Sequence, residues 1–191
     1  MRVISGTAKG RKLKSVPGKL TRPTTDKVKE AIFSKIGPYF AGGTALDLFA
    51  GTGGLGIEAL SRGMDRAVFI DIDRQAIEVI THNVQAEGFA GQAEIYRNEA
   101  FRALKMLAKK RETFDLVFLD PPYKLKITED ILSFMDAHAM CGEGAVAVAE
   151  HDNETVYPDQ IGRFSAVSRG RYGETAITIY QYNSSEEVAR E

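Results

Sequence analysis

Short apolar runs bounded by turn residues alternate with amphipathic stretches over most of the chain. The runs are Thr44–Ala50, Ala67–Ile72, Ala93–Arg97, Phe114–Asp120 and Ala145–Glu150. Their near-continuous apolar character suits strands of a parallel sheet covered on both faces. Helical stretches lie between them, of which Arg74–Glu87 is the clearest, with Ile77, Ile80 and Val84 on one face and Gly88 as its stop. Phe164–Ser168 and Thr175–Tyr182, joined by Arg169-Gly170-Arg171-Tyr172-Gly173, predict an antiparallel hairpin at a sheet edge. Upstream of Gly42-Gly43 the pattern differs. Arg2–Gly6 and Arg11–Val16 flank Thr7-Ala8-Lys9-Gly10 as an N-terminal β-hairpin arm. Thr24-Thr25-Asp26 can cap a helix to about Ile36 that turns Val28, Ile32 and Ile36 inward. The class predicted is α/β, a doubly wound, Rossmann-like sheet of seven strands with an antiparallel C-terminal hairpin.

The 191 residues fit one domain over 1–183, made of an arm and helix (1–36) and an α/β core (42–183). The polar segment 184–191 is expected to be disordered, and the protein to be a monomer. No apolar run approaches the roughly 18 residues of a membrane span, and no long apolar stretch follows Met1, so a cytoplasmic location is expected. Cys141 is the only cysteine, which excludes an internal disulfide and a Cys-rich zinc site. His82, His138 and His151 are widely separated, so no metal is expected. The net charge of −1 conceals an asymmetry: residues 1–36 hold 10 Lys/Arg against Asp26 and Glu30, and no acid precedes Asp26. A basic arm on an acidic body points to a polyanionic partner.

Leu46-Asp47-Leu48-Phe49-Ala50-Gly51-Thr52-Gly53-Gly54-Leu55-Gly56 takes a strand through a glycine loop into a helix. Such a loop lets a cofactor lie against backbone that a Cβ would block. Gly51-x-Gly53-x-x-Gly56, with Asp71 20 residues after Gly51, also satisfies the dinucleotide fingerprint, which leaves a nicotinamide enzyme as a rival. Asp47 favours the other reading, because a carboxylate inside the strand suits an ammonium group and gains nothing beside a pyrophosphate. Asp71 ends its strand where it can accept from both hydroxyls of a ribose, while Asp73 suits a helix cap. Asn98-Glu99 either meets an adenine amino group or simply opens a helix.

Asp120-Pro121-Pro122-Tyr123 follows the fourth apolar run, at the strand end where such sheets bind ligands. The prolines fix φ, so the Pro121 carbonyl is held beside the acidic side chain. Two acceptors side by side match the two N–H bonds of an exocyclic base amine, and Tyr123 offers a flat face for an extruded base.

The glycine loop, Asp71 and Asp120-Pro121-Pro122-Tyr123, in that order, resemble the class I amino-methyltransferases. The wider pattern resembles the RsmD-type 16S ribosomal RNA guanine-N2 methyltransferases. It comprises Arg2-Val3-Ile4-Ser5-Gly6 with Gly10-Arg11-Lys12-Leu13, Arg22-Pro23-Thr24-Thr25-Asp26-Lys27-Val28-Lys29-Glu30-Ala31-Ile32-Phe33, Leu46–Gly63 and Tyr172-Gly173-Glu174-Thr175, over about residues 2–182. The resemblance implies the methyltransferase sheet, S-adenosyl-L-methionine as cofactor, and methylation of the N2 amine of guanine 966 in 16S rRNA of the small ribosomal subunit. It implies catalysis by Asp120, Pro121 and Tyr123. It implies cofactor contacts from Thr24, Asp47, Phe49, Gly51, Gly53, Asp71, Ile72, Glu99, Ala100 and Asp120, while the charge of the arm makes Lys9, Arg11, Lys12, Lys14 and Arg22 the expected RNA contacts. Glu99 departs from the wider pattern, which has a shorter acid there. Two other readings stand beside this one: a DNA amino-methyltransferase, which would need room for a target-recognition domain, and a non-catalytic RNA-binding assembly factor.

Overall fold

Thr25 caps the first helix by accepting the Val28 N–H (3.3 Å), and Gly37 ends it at φ 127°, giving α1 (Asp26–Ile36). The computed structural model describes residues 1–18, 25–122 and 124–183. Arg22, Thr24, Tyr123 and the tail 184–191 therefore lie outside the described residues. The chain forms two compact units, Met1–Ala103 and Leu104–Glu191.

In the first unit, β1 (Thr44–Asp47), β2 (Arg66–Asp71) and β3 (Ala93–Arg97) lie in the order β3-β2-β1, all parallel, with Leu46 opposite Val68 and Phe69 opposite Ile95. The crossovers are α2 (Gly54–Ser61) and α3 (Arg74–Ala86). Every residue of α2 is buried, so its packing rather than an amphipathic stripe holds it. Helix α3 is amphipathic, burying Ala76, Val79, Ile80, Asn83 and Val84, and the Asp73 side chain caps it by accepting the Gln75 N–H (2.8 Å). Helix α4 (Ala100–Lys109) straddles the boundary of the units.

The second unit holds β4 (Phe114–Leu119), α5 (Thr128–Ala137), β5 (Cys141–Asp152), β6 (Gln160–Ile161), β7 (Phe164–Tyr172) and β8 (Thr175–Tyr182). Here β4 and β5 are parallel, while β8, β7 and β6 continue antiparallel. The class is thus α/β, parallel strands followed by an antiparallel C-terminal set. The described residues carry eight strands rather than the predicted seven. The addition, β6, is two residues paired with Phe164 and Ser165, too short to leave an alternating pattern.

The N-terminal hairpin is also corrected. Its halves pair through one bridge, Arg2 with Lys12, flanked by Val3 N–H to the Arg11 carbonyl (2.9 Å) and Leu13 N–H to the Met1 carbonyl (3.1 Å). A longer ladder does not form because the first half spends its amides on α2. Ile4 and Ser5 N–H donate to the Glu58 carboxylate (2.9 and 3.0 Å), Thr7 N–H to the Ser61 carbonyl (2.8 Å) and Ala8 N–H to the Ser61 hydroxyl (2.9 Å). Glu58 is fully buried and also pairs with Lys29 (3.2 Å) and Arg62 (2.8 Å). Lys29 donates in turn to the Arg2 carbonyl. Burial lowers the Lys29 pKa, and the Glu58 charge opposes that shift. A buried carboxylate with four donors is satisfied, so the cluster pins the arm to α1 and α2. No helix among the described residues is long and apolar enough to cross a membrane.

Candidate active site

In the first unit the chain leaves β1 at Asp47, not at Ala50 as predicted. Leu48 and Ala50 are still buried, but Ala50 N–H donates to the Ile70 carbonyl (2.9 Å) and Gly53 N–H to the Ala50 carbonyl (2.7 Å), which closes a turn. Gly51 sits at φ 58°, and a Cβ built on it would meet nothing within 4 Å, so its backbone faces open space. Gly56 has a different task. A Cβ there would lie 2.3 Å from the Phe69 ring, so its absence lets α2 pack on β2.

Three of the predicted acids in this unit are placed by hydrogen bonds. Asp47 is 3% exposed and accepts the Gly56 N–H at Oδ2 (3.1 Å). Burial pushes its carboxyl up to about 7; the Gly56 bond opposes this and the Asp71 charge adds to it. Asp71 accepts Gly51 N–H at Oδ2 (2.9 Å) and Asp73 N–H at Oδ1 (2.8 Å), tying the glycine loop to the end of β2. Each of its oxygens keeps a further lone pair for an outside donor. Glu99 accepts the Phe101 and Arg102 N–H groups (3.0 and 3.1 Å), which makes it the N-terminal cap of α4. The shorter Asn98 uses Oδ1 on the Glu99 N–H (2.9 Å), and its own N–H reaches the Asp71 carbonyl (3.0 Å). Ile72 beside Asp71 is 65% exposed, Phe49 is half-buried and Ala100 is buried.

In the second unit, Asp120 is half-buried directly after β4, Pro121 is buried and Pro122 is exposed. The Pro122 carbonyl accepts the Leu125 N–H (2.8 Å). The structure thus groups Asp47, Gly51, Gly53 and Asp71 in one unit and Asp120 and Pro121 in the other.

The arm cations Lys9, Arg11, Lys12 and Lys14 are all exposed. Arg11 pairs with Glu87 (3.5 Å), whereas Lys9, Lys12 and Lys14 have no ionic partner among the described residues. Of the histidines, His138 stacks on Phe134 (centroids 3.9 Å apart), and His151 is buried against the Thr178 hydroxyl (2.9 Å). Sequence reasoning missed Glu58, Ser61 and Asn83, the polar side chains that hold the arm. Their one signal is a polar residue inside an apolar face, as Asn83 is in the buried stripe of α3.

The family model described as conserved hypothetical protein 95 matches residues 1–181. YlbH of Bacillus subtilis, a candidate rRNA methyltransferase, is 50% identical over 95% of this chain and 98% of its own. Ribosomal RNA small subunit methyltransferase D of Escherichia coli K12 is 32% identical over 95% of this chain and 89% of its own. Among solved structures, the candidate methyltransferase YhhF of Escherichia coli has a TM-score of 0.83 at 29% identity, covering 96% of this chain and 98% of that one. Its match gives the fold as the Rossmann-like methyltransferase fold. Matched over almost all of its length, the chain belongs to the conserved hypothetical protein 95 family, that of ribosomal RNA small subunit methyltransferase D.

Proposed function

We propose that the protein methylates the N2 amine of a guanine, guanine 966, in 16S rRNA of the small ribosomal subunit, with S-adenosyl-L-methionine as methyl donor and acting as a monomer in the cytoplasm. The observation that carries the reading is the Asp71 carboxylate tied to Gly51 beside an exposed Ile72. The residues present fit the cofactor. Asp71 has lone pairs left for two ribose hydroxyls, Ile72 offers an apolar surface to a flat adenine, the open backbone at Gly51 leaves room, and the buried Asp47 suits an ammonium group. The named activity of the relative 32% identical to it supports RNA as substrate. Bound there, S-adenosylmethionine supplies an electrophilic methyl group on a sulfonium centre.

The chain's own contribution concerns the nucleophile. A guanine N2 is weakly nucleophilic because its lone pair is delocalised into the ring. Asp120 and the Pro121 carbonyl accept its two N–H bonds, which favours the pyramidal nitrogen and the positive charge developing on it. Tyr123 holds the base by stacking, fixing the line of attack. Nucleoside analysis of 16S rRNA from cells lacking the protein should show the loss of one N2-methylguanosine. Retention of that nucleoside at its full level would overturn the proposal.

The arm supplies affinity for the phosphate backbone in this reading, through the three lysines without an ionic partner among the described residues. Replacing Lys9, Lys12 and Lys14 with Ala should weaken RNA binding and flatten the slope of log affinity against log salt by about 2, at roughly 0.7–0.9 per phosphate contact. The melting temperature should hold, because these side chains are exposed and Lys14 is anchored through its backbone. An unaltered salt slope with a lowered melting temperature would make the arm a structural cover only.

A further inference from the structure

We infer that Asn83 is a positioning residue that joins the basic arm to the glycine loop, so that RNA on the arm and cofactor at the loop strengthen each other's binding. Asn83 is 1% exposed on the buried face of α3. Its Oδ1 accepts the Lys14 N–H (2.8 Å), and its Nδ2 donates to the Lys14 carbonyl (3.0 Å) and to the Thr52 carbonyl (2.9 Å). One amide therefore grips both backbone groups of a residue in the arm and a carbonyl between Gly51 and Gly53. Val16 packs on Ala76 and Val79 of the same helix face, so the arm is also seated two residues beyond Lys14.

A second link is independent of Asn83. Met1 accepts the Leu13 N–H, which holds it to the arm's other half, and its sulfur accepts the Thr52 hydroxyl (3.7 Å). A Cβ on Gly54 would fall 2.4 Å from that sulfur. Both ends of the arm thus meet the loop, Met1 directly and Lys14 through Asn83. Two ligands that each favour the same seating of arm and loop must bind with positive coupling, and by linkage the effect is reciprocal. A polar side chain in an apolar face is retained without cost only while all its bonds are made, and here both polar atoms of the amide are engaged.

The inference rests on the proposed function, and one experiment separates the two. Small ribosomal subunits from cells lacking the protein are titrated by co-sedimentation, with and without saturating S-adenosylhomocysteine. The wild type should bind about 5-fold tighter or more with the nucleoside present, within the usual range of coupling. In Asn83→Ala the ratio should fall towards one. Asn83→Gln, which keeps an amide but displaces it by one methylene, should fold even if the alanine variant does not and should also lower the ratio. A merely structural asparagine would weaken both ligands and leave the ratio intact, and that result, or a wild-type ratio of one, overturns the inference. Failure of the wild type to bind subunits or the nucleoside overturns the function, and the inference with it.

Discussion

Asp120→Ala should lower turnover by a factor of about 100 or more while changing cofactor affinity little. The residue is half-buried directly after β4, next to a buried proline whose carbonyl is the proposed second acceptor. Removing it deprives the developing positive charge on the amine of a fixed negative partner, an interaction made chiefly in the transition state. Asp120→Asn keeps the volume and one acceptor, so it should retain more activity than the alanine variant. Tyr123→Phe should be mild and Tyr123→Ala severe, because in the proposed reading the ring face rather than the hydroxyl holds the base. Methyl transfer into unmethylated small subunits gives turnover, and calorimetry with S-adenosylhomocysteine gives cofactor affinity. Equal damage from Tyr123→Phe and Tyr123→Ala would refute stacking. A loss of cofactor affinity matching the loss of turnover in Asp120→Ala would refute the assignment of Asp120 to the amine.

Asp47→Asn should stabilise the cofactor-free protein at pH 8 and weaken cofactor binding there. Burial raises the Asp47 carboxyl from its ordinary 3.8 to about 7. Between these values the folded chain holds more protons than the unfolded one, so stability falls as pH rises through the window. Above pH about 7 the penalty is complete, about 4 kcal/mol, and below about 4 it vanishes. Asparagine carries no charge and keeps an acceptor for the Gly56 N–H. Its melting temperature should therefore exceed that of the wild type at pH 8 and match it at pH 4. An ammonium group beside Asp47 favours the ionised form, so wild-type cofactor affinity should rise about tenfold per pH unit up to about 7 and then level off. Asp47→Asn should flatten that dependence. Equal melting temperatures at both pH values would show that Asp47 is not a strained carboxylate.

The buried charge at Asp47 also marks where local pattern and chain path part company. Leu48, Phe49 and Ala50 are apolar and read as strand, yet the ladder stops at Asp47, because the left-handed Gly51 and the Ala50-to-Ile70 bond divert the backbone. On the other side, β7 runs on to Tyr172 through Arg169-Gly170-Arg171, a stretch that reads as a loop. Cross-strand pairing with Thr178, Ile177 and Ala176 overrides that composition, and the turn falls at Gly173. Likewise β5 begins at Cys141 rather than Ala145. The glycines at 142 and 144 hide its start, and the register with β4 shifts between Phe114 and Leu116.

By itself the sequence determined the elements whose signals are local. Helix α3 follows from its apolar spacing, the Asp73 cap and Gly88, and β3 and β8 have the predicted bounds. It also determined the candidate chemistry, since a glycine loop, an acid closing a strand and an acid before two prolines are each constrained by a neighbour within a few residues. Only the tertiary structure decided what those groups do with their hydrogen bonds. Asp71 is tied to Gly51, Glu99 caps α4, and Glu58, Ser61 and Asn83 fasten an arm that looks like a free hairpin on paper. Those bonds join residues up to 69 positions apart. A side chain's partner at that separation is set by how buried polar groups must be satisfied once the chain has packed, and no local spacing encodes it.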